Sequence, residues 1–227
     1  MGTIKERFSE EKEKVRRLGV KAGAAYIWQY YSLWIVGLTA FLALVLYLVV
    51  RFATTPSGFT YYMTLANTRA DAGEGSRLWK DYVEFTGYDT SQGRIAFDDE
   101  SYFDYALDQG RGNTYYNAFV GLVDNGVLDA VTMSTESLTA LGRTGRLIDL
   151  NREECRSIRE KYGDRFLYAL PLNTEYSEEP VPIGIDISDS RLVTDYQVYE
   201  GDCALGICSE SGRIQAAEAF LDFVFSE

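Results

Sequence analysis

Residues 22–50 contain no charged side chain, although 25% of the residues in the whole chain are charged. Within this stretch, Leu33–Val50 is an apolar run that would be about 27 Å long as a helix, close to the hydrocarbon thickness of a bilayer. The alternative is a buried helix of a soluble protein, which requires a core that surrounds the helix on all sides. A chain of 227 residues rarely has such a core. The sequence therefore predicts a helix that spans the lipid bilayer over residues 32–52.

Basic residues on the two sides of the predicted span indicate its orientation. Residues 1–31 are therefore expected in the cytoplasm and the remainder of the chain outside the cell, since basic residues near a span favour the cytoplasmic side. Five basic residues shortly precede the span, and only two lie within about 20 residues after its apolar core: Lys12, Lys14, Arg16, Arg17 and Lys21 before it, and Arg51 and Arg69 after it.

A cleaved secretory signal is the competing interpretation of the apolar run. Such a signal usually has an apolar region of about 7–15 residues that ends at a small-residue cleavage site. Here the apolar run is longer, a basic leader of about 30 residues precedes it, and no A-x-A-like site occurs before Pro56. No cysteine lies near the end of the run, which argues against a lipid-modified cysteine. We therefore expect a single-pass anchor in the cell membrane.

The charge of the chain divides at the predicted span. Residues 1–31 carry seven Lys/Arg and four Asp/Glu, a net charge of +3, whereas residues 52–227 carry 14 and 30, a net charge of −16. A strongly acidic domain repels nucleic acid and disfavours a polyanionic ligand unless a local basic pocket exists. No nucleic-acid partner is expected, and solubility near a crowded cell surface accounts for the charge.

The residue types that carry most enzyme chemistry are sparse. The chain has no histidine and three cysteines, so Ser-His-Asp and Cys-His catalysis and the usual zinc sites are excluded. The densest acidic group, residues 98–108, lacks the spacing and central glycine of a calcium loop. We predict no catalytic residue, no metal site and no cofactor. A carboxylate-dependent enzyme would need two acids that face one pocket.

Strand and helix patterns alternate after a short linker, residues 53–58, that contains proline and glycine. This order predicts one three-layer α/β domain over residues 59–227 with a mixed, mostly parallel sheet, because parallel connections need crossovers that are usually helical. Predicted strands cover residues 59–65, 94–97, 127–133, 166–170, 181–187 and 203–208, and predicted helices cover residues 76–85, 114–124, a segment after Ser134, and a segment from about Ser211.

Four segments of this domain, in order, resemble motifs of the type II extracytoplasmic solute-binding proteins, which deliver sugars and related solutes to ABC transporters. Asn125–Val131 is similar to the glycine and short strand of the family's "pDVv" motif, and Ser137–Leu150 is similar to the helix and "G-lldL" run that follow. Phe166–Pro171 resembles the "yaiP" strand, and Ala216–Phe225 resembles the closing helix. The resemblance implies the fold of one lobe of such a periplasmic binding protein, in a bacterial envelope protein associated with an ABC transporter.

The chain departs from this family where the second lobe is usually inserted. Family members bind solute between two lobes, but about ten residues separate Pro171 from the next predicted strand, which leaves no room for a second lobe. The predicted function is therefore a non-catalytic, membrane-tethered extracytoplasmic binding module that docks a membrane or envelope protein such as a transporter. The alternative is a receptor or sensor for a small, sugar-like solute.

Polar residues follow two predicted strands at the edge of the sheet where ligands bind. In open α/β sheets, ligands lie beyond the carboxyl ends of the strands. That rule points to Asn67 and Thr68 after the first strand, and to Ser134, Thr135 and Glu136 after the third. Their alternative role is to cap helices and shape loops. We predict these five as candidate ligand-binding residues, and the receptor hypothesis also requires an apolar or aromatic-lined concavity beside them.

Overall fold

The computed structural model describes residues 4–54, 58–173 and 175–226, and within the first helix it describes the side chains of residues 22, 24, 25, 28, 29 and 31–51. The chain divides into two compact units, Met1–Thr55 and Pro56–Glu227. The first unit is one helix, α1, over Ile4–Thr54. Residues 55–57 of the predicted linker and residues 1–3 of the predicted cytoplasmic segment lie outside the described residues.

Helix α1 contains the predicted span. Tyr31–Arg51 is a 21-residue segment with a mean hydropathy of 2.6, and none of its most apolar stretch is buried. Its length and composition suit a helix that crosses a membrane, and a signal sequence near the amino terminus has the same properties. Side chains of this segment such as Leu33 and Trp34 are exposed.

The second unit alternates strands and helices, as predicted. Its strands are β1 (Phe59–Leu65), β2 (Arg94–Asp98), β3 (Ala130–Met133), β4 (Phe166–Ala169), β5 (Val181–Asp186) and β6 (Ala204–Ile207). Its helices are α2 (Arg77–Thr86), α3 (Tyr105–Asp108), α4 (Thr114–Asp124), α5 (Thr135–Gly142), α6 (Arg156–Tyr162), α7 (Arg191–Thr194) and α8 (Ile214–Val224). The short helices α3, α6 and α7 were not among the predicted elements.

Side-chain caps explain where α2 and α5 begin. The Ser76 hydroxyl accepts a hydrogen bond from the Trp79 amide, 3.1 Å, and starts α2. The Ser134 hydroxyl accepts one from the Ser137 amide, 3.3 Å, and starts α5. Each cap satisfies an amide that has no partner inside its helix. Both serines stand where the sequence predicts a helix to begin.

The six strands form one sheet in the order β2-β1-β3-β6-β5-β4. β1 pairs in parallel with β2 and β3, whereas β6 is antiparallel to both β3 and β5, and β4 is antiparallel to β5. The predicted mixed α/β sheet is confirmed, but the prediction that it is mostly parallel is wrong for the described strands. Residues 170–180 are too short for a crossover, so β4 and β5 form a hairpin, and β6 inserts between β3 and β5.

Helices cover both faces of the sheet and enclose two hydrophobic clusters. Helices α2, α6, α7 and α8 contribute to the first cluster with Tyr61 and Met63, and α4 and α5 contribute to the second with Val131 and Met133. Tyr61 and Met63 of β1 face the first cluster and Tyr62 between them packs on the second, as the strand period requires. The three cysteines are buried and unpaired.

Two buried tyrosines differ in how their hydroxyls are satisfied. The Tyr61 hydroxyl is buried and has no hydrogen-bond partner among the described residues. The Tyr199 hydroxyl lies 3.1 Å from the Ala66 and Thr132 carbonyl oxygens and 2.8 Å from the Thr132 hydroxyl. We expect Tyr61→Phe to raise the free energy of unfolding by up to about 1 kcal/mol, and Tyr199→Phe to lower it by about 1–3 kcal/mol, since it removes the buried hydrogen bonds of the Tyr199 hydroxyl with the Ala66 carbonyl oxygen and the Thr132 hydroxyl. Urea unfolding of both variants tests this, and equal losses would contradict it.

Candidate functional site

A cleft of about 520 Å³ opens at the carboxyl ends of β1 and β3. Asn67 lines it from the loop after β1, and Ser134 lines it from the loop after β3. The two strands are neighbours and parallel, so their carboxyl ends meet at one edge of the sheet. We call this depression the strand-end cleft; its other lining residues include Ala66, Arg69, Tyr102, Asp104, Leu107, Tyr199, Glu200 and Asp202.

Asn67 and Thr68 hold the loop after β1 against the loop after β2. Asn67 has a positive φ of 60°, a conformation that asparagine tolerates better than most residues. Its side-chain amide donates to the Phe103 carbonyl oxygen, 2.8 Å, while its carboxamide oxygen is buried with no partner in the described part of the chain. The Thr68 hydroxyl donates to the Asp99 carbonyl oxygen, 3.1 Å, and Thr68 does not line the strand-end cleft. Thr68 therefore has a structural contact that explains it.

The amino terminus of α5 is already satisfied by a carboxylate of the domain. The Thr135 amide donates to an Asp202 carboxylate oxygen, 3.2 Å. Thr135 and the exposed Glu136 line a second depression of about 460 Å³, next to Thr139 and Leu167. Of the five predicted residues, Asn67 and Ser134 thus share the strand-end cleft, whereas Thr135 and Glu136 line the neighbouring depression. Their part in binding a ligand stays a prediction.

Charged and aromatic side chains determine which ligand the strand-end cleft can accept. One basic and three acidic residues line it, so its net charge is −2. Arg69 forms an ion pair with Glu200, and Asp104 accepts a hydrogen bond from the Ala106 amide, 3.0 Å. Tyr102 and Leu107 are exposed at its rim. The cleft can offer acceptors and an aromatic ring to a polyhydroxylated or cationic solute.

Each acid of the strand-end cleft is held by a group of the domain. Asp104 caps α3, Asp202 accepts from the amino terminus of α5, and Glu200 pairs with Arg69. The acids of the 98–108 stretch act similarly, since Asp99 accepts from the Ala72 and Gly73 amides, 2.8 Å each. These contacts explain the carboxylates as loop and helix caps. Among the described residues, no group of three or more acidic or cysteine side chains could hold a metal ion.

The outer edge of β4 is a surface that the sequence analysis did not identify. β4 is the last strand of the sheet, and residues 166–170 carry no charged side chain. Tyr168 is 55% exposed, and Leu170 and Leu172 beyond the strand are 43% and 61% exposed. We call residues 166–170 the β4 edge. The apolar FLYAL pattern predicts the strand, but nothing local in it indicates an edge position.

The opposite edge of the sheet is guarded. The three central residues of β2 are buried, and charged residues, Arg94 and Asp98, flank them. Arg94 forms an ion pair with Glu74, 2.9 Å, beside this edge. Charges on an edge strand discourage pairing with a further strand. The β4 edge differs in that no charged side chain lies within residues 166–170, although Arg165 directly precedes it and Arg143 donates to the Leu170 carbonyl oxygen.

Comparison of the chain with protein-family models, with curated proteins and with solved structures found no match.

Proposed function

We propose that the chain is a non-catalytic, membrane-tethered module whose acidic domain, residues 59–227, lies outside the cell and docks a protein partner of the same membrane through the β4 edge. The observation that carries this proposal is the unguarded edge, an apolar strand at the boundary of the sheet with no charged side chain over residues 166–170. Retention of the apolar helix in the bilayer would keep the domain next to other membrane proteins.

Strand addition is the binding mode that such an edge favours. An added strand pairs its main-chain groups with those of the edge strand, and its alternate side chains contact the two faces of the sheet. Leu167 packs on one hydrophobic cluster, and Phe166 packs on the other. With Tyr168 exposed, the β4 edge offers apolar contacts to a partner strand on both faces. An extended, apolar segment of the partner is the chemistry that fits.

The likeness to one lobe of a type II solute-binding protein is part of this proposal. A mixed sheet with helices on both faces supports it, as does the hairpin of β4 and β5 at the point where family members insert their second lobe. A transporter is therefore the first partner to test. Solute capture between two lobes is not part of the proposed function.

The strand-end cleft favours a second candidate function, a receptor for a small solute. Its volume of about 520 Å³ lies within the range of about 300–1,000 Å³ that is usual for small-ligand sites. Tyr102 and Leu107 supply the apolar and aromatic rim that this hypothesis requires beside Asn67 and Ser134. A rise in the melting temperature of the full chain with one sugar class would support the receptor, because a ligand of the folded state stabilises it. An unchanged melting temperature across sugars would count against it.

Tyr168→Lys is expected to weaken docking without disturbing the fold, because the side chain is 55% exposed. A charge in the middle of the edge opposes strand addition, and loss of a tyrosine anchor costs about 2 kcal/mol or more, which is about thirtyfold in affinity. Native electrophoresis of mildly solubilised membranes should show loss of a complex that the wild-type chain forms. Tyr115→Lys, a change at a residue that is 48% exposed and far along the chain from β4, is the matched control. Absence of a complex in the wild type, or its survival in Tyr168→Lys, would refute the proposal.

A further inference from the structure

A separate cavity of about 220 Å³ lies between the carboxyl end of α5, the segment that follows it, and the start of β5. Six of its lining residues matter for its chemistry: Arg143, Leu147, Asp149, Arg152, Tyr176 and Ile183. We call it the α5–β5 cavity. Its volume equals that of about seven water molecules in bulk liquid, which is enough for a ligand of roughly ten non-hydrogen atoms.

The α5–β5 cavity is at the opposite end of the sheet from the strand-end cleft. Ser209, which follows β6, lines it. β6 is antiparallel to β3, and Ile207 at its end pairs with Ala130 at the start of β3. The cavity therefore lies beyond the amino end of β3, whereas the strand-end cleft lies beyond its carboxyl end. A ligand in one could not contact the other.

The floor of the α5–β5 cavity is apolar. Leu147 is 5% exposed and Ile183 is 1% exposed, and both belong to the second hydrophobic cluster. Pro171 is buried beside them, and Val181 at the start of β5 completes this side. Such a surface binds a hydrocarbon body and contributes no hydrogen bonds to it.

The rim of the α5–β5 cavity is basic, with two guanidinium groups and one carboxylate. Arg143 donates to the Leu170 carbonyl oxygen, 3.3 Å, and forms no ion pair with a described residue. Arg152 approaches a carboxylate of Glu154 at 3.6 Å, a long distance for a pair that is half exposed. The guanidinium groups therefore keep most of their donors free for an acceptor from solution.

The single carboxylate of the rim is occupied by the domain itself. One Asp149 oxygen accepts from the Asn151 amide, 2.9 Å, and the other accepts from the Tyr176 hydroxyl, 3.2 Å. Burial, and then the charge of Asp149, raises the pKa of Tyr176, so its hydroxyl stays protonated as the donor. The rim has a net charge of +1 in a domain whose net charge is −16. Physiological salt screens charges over a distance of about 8 Å, so the net charge of the rim still acts on a group bound in the cavity.

We propose that the α5–β5 cavity binds a small organic carboxylate, with the carboxylate on Arg143 and Arg152 and an apolar body on Leu147 and Ile183. Guanidinium groups suit carboxylates because their planar donors can bind both oxygens. The proposal does not require docking at the β4 edge, although Arg143 contacts Leu170 of that edge. It also meets the condition under which an acidic domain accepts an anion, a local basic pocket.

Calorimetry of the full chain in nanodiscs tests this proposal with phenylacetate and isocaproate as probes. At least one probe is expected to bind with a Kd below about 1 mM, and its neutral amide, phenylacetamide or isocaproamide, is expected to bind at least about tenfold more weakly. Failure of both carboxylates to bind, or equal binding of acid and amide, would overturn the proposal.

Variants of the rim then test where the carboxylate lies. Arg143→Gln and Arg152→Gln are each expected to weaken binding by about tenfold or more, because each removes a charge-assisted contact. Both side chains are exposed, so the melting temperatures should stay near that of the wild type. Arg111→Gln is the control, since Arg111 is exposed and does not line the α5–β5 cavity. Unchanged binding in both rim variants would contradict the assignment.

Discussion

Asp129→Ala is expected to lower the free energy of unfolding of the α/β domain by about 3–5 kcal/mol, because it breaks a buried ion pair from one side. Asp129 is fully buried, and its oxygens accept from Arg213 Nε, 2.9 Å, and the Ser211 hydroxyl, 2.7 Å. One of them also accepts from the Tyr62 amide, 2.8 Å. The change would leave the partly buried Arg213 guanidinium without its carboxylate and a β1 amide without its acceptor.

The size of this loss depends on the burial of the ion pair. A matched variant at an exposed ion pair separates the effect of burial from the effect of losing a charge. Asp124 forms an ion pair with Arg146 at 3.5 Å, but its side chain is 57% exposed. Asp124→Ala should cost less than about 1 kcal/mol, as surface pairs usually do. Urea unfolding followed by near-ultraviolet circular dichroism measures both variants in the full chain. Similar losses in the two variants would mean that the contacts of Asp129 with Ser211 and Arg213, just before α8, stabilise the domain no more than a surface ion pair does.

The double variant Leu42→Arg, Val45→Arg is expected to abolish membrane anchoring. Each arginine near the centre of a spanning helix opposes insertion by about 2.5–3.5 kcal/mol, so two cost about 6 kcal/mol. Leu42 and Val45 lie within Tyr31–Arg51, and both side chains are exposed on the surface of the helix. After alkaline carbonate extraction, the wild-type chain should remain in the membrane pellet. The double variant should appear in the supernatant or be absent from the membrane pellet.

A control for added charge uses two exposed leucines of the second unit. Leu107 and Leu172 are 85% and 61% exposed, so Leu107→Arg, Leu172→Arg adds the same charge outside the span. This control should remain in the pellet. Retention of Leu42→Arg, Val45→Arg in the membrane would contradict the anchor. An amino terminus that begins after the apolar helix in the wild-type chain would support a cleaved signal instead.

Local patterns predicted the elements of the α/β domain well because their causes are local. β1 and α4 have the predicted bounds, since alternating or helical apolar residues and nearby caps determine them. β3 begins at Ala130 rather than at Val127, because Val127 and Leu128 turn back onto α4, where their amides donate to the Leu122 carbonyl oxygen. The direction of β6 depends on contacts between residues far apart in the chain. For that reason the sequence did not predict the antiparallel half of the sheet.

The sequence likewise predicted the part of the candidate site that depends on local patterns, and missed the part that depends on distant residues. The rule for strand ends brought Asn67 and Ser134 to one cleft, because it depends only on β1 and β3 being parallel neighbours. It did not anticipate Asp202, which lies 67 residues from Thr135 and accepts from its amide. The β4 edge was hidden for a similar reason, since the same apolar pentapeptide would serve equally well in the middle of a sheet.

Site-specific photo-crosslinking in intact membranes tests the central claim most directly. The full chain would carry p-benzoylphenylalanine at Tyr168 on the β4 edge or, as the control, at Arg94 on the guarded β2 edge; both side chains are exposed. We expect Tyr168 to give an adduct with one membrane protein, and Arg94 to give none. No adduct from Tyr168, or the same adduct from both positions, would contradict docking through the β4 edge.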